Sequence, residues 1–277
     1  MPELPEVETV RKGLELAVVG QKITKVKVNR AKTIEKNSPD EFSQQLTGQT
    51  FKAIKRKAKY LFLEMQSNLV ISVHLKMSGA FIVSQAEQEL PNHVHVIFDL
   101  SNKKELRFRD LRAFGRMSLY KNIEEAQQIG SIPNLAPEPI EEHFNEKDFA
   151  NQLSKFSSPI KAILLDQTKA VSGVGNIYAD ESLFLGGIRP QVPANQLNKK
   201  QVHALYNAIK QVIGAAIEAG GTSVRDYVNA NGDLGNFALQ LNVYGQKKKN
   251  CKVCATPIEY IRLAQRGTHY CPTCQKG

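Results

Sequence analysis

The sequence predicts an α+β protein of several domains: an N-terminal helix with a β-sandwich, then a helical domain, then a C-terminal cysteine ribbon. Three observations predict it. Apolar residues step by three or four over the first twenty positions. Short alternating runs follow to about residue 120 and then give way to helical periods. The four cysteines of the chain all fall between Cys251 and Cys274. With 277 residues, 42% of them apolar and 23% charged, the chain can bury more than one core and is not a disordered polymer. No window approaches ~18 uninterrupted apolar residues, so no helical membrane span is expected.

The first element is a helix. Leu4, Val7, Val10, Leu14 and Ala17 form one apolar face. Pro5 suits its first turn and Gly20 its stop, and Glu3 and Glu6 lie where the helix dipole favours carboxylates. Strand-like runs follow at Ile23–Val28, Tyr60–Met65, 69–75, Val94–Leu100 and 115–120, with a hairpin turn at Asn102. Two packed sheets are the economical arrangement. Residues 121–145 are rich in Pro, Glu and Asn, and a boundary falls there. The expected division is 1–130, 131–240 and 241–277. Ile160, Ile163 and Leu164 begin a short helix. Asn176–Leu185 is a second, and Val202 through Ala216 belong to a long third. The stretch 220–235 is polar, holds four glycines and is too long for a routine connection.

Lys and Arg exceed Asp and Glu by ten, which points to a polyanionic partner. The N-terminus MPELPEVETV has no apolar core of a signal peptide, so a cytoplasmic protein is expected.

The cysteines are spaced Cys251-x2-Cys254-x16-Cys271-x2-Cys274. Each CxxC turn can aim two sulfurs at one tetrahedral ion, so the spacing reads as a structural Zn²⁺ site with no open position. A redox pair or two disulfides are the alternatives; the cytosolic reading argues against the latter. Between the pairs, 258–263 and 269–271 read as strands with 265–268 as the turn, which presents Arg266 at a hairpin tip. There it is either a solvated arginine or a phosphate contact.

Loss of Met1 would leave Pro2 with a free secondary amine. An α-amine titrates near ~7.7–8, well below lysine, so a useful fraction is neutral and nucleophilic at neutral pH. Glu3 and Glu6 beside it could move protons or hold a developing cation. Taken alone, proline and glutamate are also ordinary helix starters.

MPELPEVETV, RKAKYL, HLKMSG, RDLRAFG, LLDQTKAVSGVGNIYADESLF and QRGTHYCPTC occur together and in order. This set resembles the formamidopyrimidine-DNA glycosylase family over essentially the whole chain. Leu4 and Met77 favour it over the sister endonuclease VIII family, which usually starts MPEGPE and prefers oxidised pyrimidines. The resemblance implies a helix–two-turns–helix motif in the middle domain and a zinc ribbon behind it. It implies Pro2 as nucleophile at C1′ of a damaged nucleotide, Glu3 as the essential acid and Lys59 in β-elimination. Arg266 is implied at the phosphates flanking the lesion and in the final δ-elimination.

Met77, Arg112 and Phe114 match the trio that fills the gap left by a flipped base. Extrusion leaves an unstacked hole and an orphaned partner base, which an apolar wedge and an arginine can occupy. By themselves Met77 and Phe114 read as core residues. The family often has a basic residue where Ala113 stands, so one phosphate contact is in doubt. His93 matches a backbone contact, and Asn176 the phosphate-binding turn after two glycines. Glu6, Thr222, Ser223 and Tyr227 are candidate contacts to the extruded base. The implied activity is excision of oxidised purines, such as 8-oxoguanine, from double-stranded DNA, then strand cleavage at the abasic site. One structural Zn²⁺, no other cofactor and a monomeric state are expected. The rivals are a pyrimidine-preferring relative and a non-catalytic damaged-DNA-binding protein.

Overall fold

The computed structural model describes residues 1–222 and 237–277. The chain divides into two compact units, Met1–Pro133 with Gly220–Asn236, and Asn134–Ala219 with Phe237–Gly277.

In the first unit, helix α1 (Leu4–Val18) runs straight through Gly13 and buries Leu4, Val7, Val10, Leu14 and Val18. The expected apolar stripe is therefore its core face. Strands β1 (Ile23–Val28), β2 (Phe51–Lys57), β3 (Tyr60–Met65), β4 (Val70–His74), β5 (Gly79–Gln85), β6 (Val94–Leu100), β7 (Lys104–Asp110) and β8 (Arg116–Tyr120) form two four-stranded sheets, ordered β1-β6-β7-β5 and β2-β3-β4-β8. One apolar core joins them: Ile54, Leu61, Leu63 and Val73 from one sheet meet Val96, Phe98, Leu106 and Phe108 from the other. Helices α2 (Pro39–Leu46) and α3 (Ile123–Gln127) complete the unit. Ser38 caps α2 through its side-chain oxygen, and Asn122 caps α3 in the same way.

Three strands escaped the sequence pattern. A register shift between Phe51 and Ala53 puts the buried Phe51 and Ile54 of β2 three apart, among exposed lysines. β5 opens on Gly79 and has no clean alternation. β7 buries Glu105 and Arg107, which read as solvent-facing charges. They pair at 2.6 Å, and the Arg107 guanidinium also donates to the carbonyls of Gln88 (2.8 Å) and Glu89 (3.1 Å).

The second unit holds α4 (Glu146–Leu153), α5 (Ile160–Leu165), α6 (Asn176–Leu185) and α7 (Lys199–Glu218), followed by the hairpin β9 (Glu259–Leu263) and β10 (Arg266–Tyr270). Asn198 and Gln201 close a capping box at the start of α7. α6 is buried on nearly every side, Asp180 and Glu181 included. The Glu181 carboxylate ties it to the following chain, accepting the N–H groups of Asn242, Val243 and Tyr244 at 2.8–2.9 Å. The ribbon turn is tighter than the sequence suggests. Leu263 pairs with Arg266, leaving only Ala264 and Gln265 between the strands, both at positive φ (47° and 58°). That is a two-residue primed turn, the one whose twist suits a hairpin. Arg266 is thus the first residue of β10 and not part of the turn.

Among the described residues, no helix is long and apolar enough to cross a membrane.

Candidate active site and metal centre

The start of α1 is organised by two carboxylates. Pro2 is buried, while Met1 ahead of it is half exposed. Glu3 is the N-cap, and Glu3 and Glu6 form a reciprocal capping box. The Glu3 N–H donates to Glu6 Oε2 at 2.8 Å. The second oxygen of Glu6 accepts the Thr222 N–H at 2.7 Å and its hydroxyl at 3.0 Å. Glu6 therefore anchors the chain at Thr222 as well as capping the helix. Gly221 makes this possible: its φ is +80°, and a Cβ there would lie 2.9 Å from Glu6 Oε1. Of the candidate contacts to an extruded base, Ser223 and Tyr227 lie outside the described residues.

Lys59 sits in the two-residue turn between β2 and β3, after Ala58 at φ 49°, yet only 7% of it is exposed. Its neighbour is His74, a residue the sequence reading passed over although it opens the HLKMSG motif. His74 pairs with Tyr60 across β3 and β4, and their rings meet edge to face at 4.6 Å. Burial, then the charges of Lys76 and Lys59, hold the His74 pKa down at about 3. Its Nδ1 accepts the Lys76 N–H at 2.9 Å, so the neutral ring carries its proton on Nε2.

Met77, Arg112 and Phe114 stand on two loops around Asp110. Met77 is 42% exposed and Phe114 46%, so neither is the core residue its type suggests. The Arg112 guanidinium lies 5.1 Å from the Phe114 ring centroid. Asp110, fully buried, builds this display. One oxygen accepts the Ser78 hydroxyl and, at 3.1 Å, the Arg112 N–H; the other accepts the Gly115 N–H at 2.6 Å. Its backbone carbonyl bonds His95 Nε2 at 2.8 Å, and its N–H donates to the carbonyl of the exposed His93 at 3.0 Å. Ala113, where the family often carries a basic residue, takes a left-handed φ of 55°.

In the second unit, Asn176 is the first residue of α6 behind the N-cap Gly175. Gln167 shapes the turn before it, accepting the Gly173 N–H and donating to the Val174 carbonyl, each at 2.8 Å. The Asn176 amide donates to the Gly267 carbonyl at 3.0 Å, next to the exposed Arg266. Lys161 and Asp180, both fully buried, approach the same strand.

The four cysteine sulfurs lie within 4.8 Å of one another. Cys251 and Cys274 are 3.8 Å apart and Cys254 and Cys271 3.4 Å, too far for a disulfide. Four Zn–S bonds of about 2.3 Å in a tetrahedron separate sulfurs by roughly 3.8 Å, so the cage fits that ion. Hydrogen bonds from Thr256 pull Cys254 down to about 6, while burial pushes Cys271 and Cys274 up. A divalent cation is what lets such a set hold four thiolates together.

A helix-led β-sandwich, a helical unit with a glycine turn and a Cys₄ ribbon, on a strongly basic chain, define a zinc-ribbon protein of the nucleic-acid-processing kind. Three domain families match in order. They are the formamidopyrimidine-DNA glycosylase N-terminal domain over residues 1–117, its H2TH domain over 135–228, and the zinc finger found in FPG and IleRS over 248–277. The formamidopyrimidine-DNA glycosylase of Enterococcus faecalis is 47% identical over 276 residues, covering 100% of this chain and 98% of that one. Crystal structures of Lactococcus lactis Fpg in complex with DNA are similar with a TM-score of 0.92. One contains an abasic site and one Fapy-dG (each 35% identical, 99% of this chain and 100% of that one), and one an oxidised pyrimidine (36%, 100% of both). The chain belongs to the formamidopyrimidine-DNA glycosylase family, the glycosylase and abasic-site lyase enzymes of base excision repair.

Proposed function

We propose that this enzyme removes oxidised purines, 8-oxoguanine and formamidopyrimidines among them, from double-stranded DNA and then cuts the strand by β,δ-elimination. The observation that carries the reading is the buried Pro2 at the head of α1, directly before the 1%-exposed Glu3. Once Met1 is removed, the Pro2 nitrogen attacks C1′. The glycosidic bond breaks and the base leaves with its electron pair; the C1′–O4′ bond then opens, O4′ takes up a proton, and the iminium so formed is the electron sink. Glu3 handles protons at the sugar. Lys59 serves β-elimination at C2′ and C3′, and Arg266 holds the flanking phosphate through δ-elimination. Met77, Arg112 and Phe114 occupy the gap in the duplex. His93 and Asn176 contact its backbone, and Glu6, Thr222, Ser223 and Tyr227 border the extruded base. One Zn²⁺ on Cys251, Cys254, Cys271 and Cys274 is structural, and the domains divide near 130 and 240. The enzyme works as a monomer in the cytoplasm.

Borohydride reduction on lesion DNA tests this. A covalent adduct is expected at Pro2 in protein shown by mass spectrometry to lack Met1. Protein that retains Met1 carries a tertiary amide at that nitrogen and should give none while still binding DNA. Adduct formation at full rate with Met1 present would refute the proline mechanism. The oxidised-pyrimidine complex of the Lactococcus lactis relative supports a second reading, in which such lesions are also substrates. Parallel excision of 8-oxoguanine and thymine glycol ranks the two. Elemental analysis should find one zinc per chain, and Cys254→Ser should lose it.

A further inference from the structure

Lys161 and Asp180 are both 0% exposed, with Nζ 2.7 Å from Oδ1. Neither the proposed chemistry nor the cysteine cage uses them. Desolvating two charges is costly, and an apolar pair of the same volume often serves stability as well. What the pair holds is therefore informative. The ammonium also donates to the Thr268 hydroxyl at 2.8 Å and the Gly267 carbonyl at 3.0 Å. The second Asp180 oxygen accepts the His269 N–H at 2.9 Å. Three consecutive residues of β10, all immediately after Arg266, are thus tied to α5 and α6. The Asn176 amide adds a second bond to the Gly267 carbonyl. On the other side of Arg266 lies the two-residue turn. The backbone of Arg266 is held from both directions while its side chain stays in solvent.

We propose that Lys161 and Asp180 are positioning residues for Arg266: the buried pair seats β10 on α5 and α6 and so sets where the guanidinium meets a phosphate. This rests on the reading of Arg266 as a phosphate contact. The lysine is specifically suited. A carboxylate, a hydroxyl and a carbonyl all lie within 3.0 Å of one compact ammonium, a point charge that suits acceptors in separate directions better than the planar fork of arginine.

The test is a double-mutant comparison on the full, zinc-loaded chain, with a duplex carrying a tetrahydrofuran abasic analogue. Lys161→Met combined with Asp180→Asn removes both charges at once. No uncompensated charge is left behind, and an acceptor remains for the His269 N–H. Zinc content and the unfolding midpoint are measured alongside. Losing the anchoring bonds should weaken binding about tenfold in the parent background. With Arg266→Ala already present, the same change should cost less than about twofold, because there is no guanidinium left to misplace. The slope of log affinity against log salt should fall by about 0.9, the change also expected for Arg266→Ala itself. Equal losses in both backgrounds, or an unchanged salt slope, would overturn the proposal and leave the pair a purely structural one. If Arg266→Ala alone left binding intact, the phosphate-contact reading would fail in that arm, separately from the pair. Should the doubly substituted protein misfold or lose zinc, Thr268→Val removes one acceptor and leaves the ion pair whole. It should weaken binding about threefold, and again only where Arg266 is present.

Discussion

Asp110 and Asp180 are both fully buried, and each sits beneath a short segment that displays an arginine. The resemblance ends at their partners. Asp110 is surrounded by neutral donors: the Ser78 hydroxyl and the N–H groups of Arg112 and Gly115. Asp180 has a cation, Lys161 at 2.7 Å. A carboxylate satisfied by oriented N–H and O–H groups acts as a template for the two loops it joins, the one that carries Ser78 and the one that carries Arg112 and Gly115. A carboxylate paired with a buried lysine joins elements far apart in sequence, here α5, α6 and β10. The first arrangement shapes a loop. The second docks a hairpin, and it makes the fold depend on both charges being present together.

That difference predicts the largest effect. Lys161→Met alone strands the fully buried Asp180 charge, and should cost about 3–5 kcal/mol of folding stability. Adding Asp180→Asn should recover much of the loss. Denaturant titration of the two proteins checks both statements. If the single and double substitutions were equally unstable, charge compensation would not be what the pair supplies.

Asp110→Asn should be milder, about 2 kcal/mol, because it replaces one acceptor oxygen with an amide that faces N–H groups while no opposite charge is abandoned. The same titration measures it. A loss as large as that of Lys161→Met would erase the distinction between template and dock.

Both aspartates also mark where the sequence stopped being legible. The α1 stripe, the cysteine spacing and the Asn176–Leu185 helix were readable because each is a local period or spacing. β2 and β7 were not: β2 sets Phe51 and Ile54 among exposed lysines, and Glu105 and Arg107 of β7 look like solvated charge until the sheet buries and pairs them. Burial of a charge is a tertiary fact, so Asp110, Asp180 and Lys161 gave no local signal. Met77 and Phe114 failed in the opposite sense: by residue type they belong in a core, and only the motif match set them apart. Glu6 was legible as a helix-start acid, whereas its bonds to Thr222 span 216 positions and were not.

His74 sharpens the comparison by pH. It is half-buried on the sandwich, and partial burial together with the charges of Lys76 and Lys59 opposes its protonation. Its folded pKa of about 3 lies below the unfolded value near 6.5. Above pH 6.5 both states are neutral and the group has no effect. As pH falls through 6.5 the unfolded chain gains a proton that the folded one refuses, so stability drops until about pH 3. At pH 5 the loss from this residue is about 2 kcal/mol. His74→Gln should lose correspondingly less stability than the parent between pH 7 and pH 5. Parallel acid slopes for the two proteins would show that His74 is not held neutral.

The smallest effect on stability is expected at Phe114, and it separates the display from what holds it. The ring is 46% exposed, and its backbone is tied through Gly115 to Asp110 without help from the side chain. Phe114→Ala should therefore change folding free energy by no more than about 0.5 kcal/mol. The functional change should be larger and selective. Extruding a base costs a few kcal/mol of stacking, and an inserted ring recovers part of it. Excision of 8-oxoguanine should slow, while cleavage at a preformed abasic site, which has no base to unstack, should be largely retained. Measuring both rates on protein of verified stability decides between the two roles. Equal losses on the two substrates, together with a lowered unfolding midpoint, would make Phe114 a packing residue and leave Arg112 to fill the gap without it.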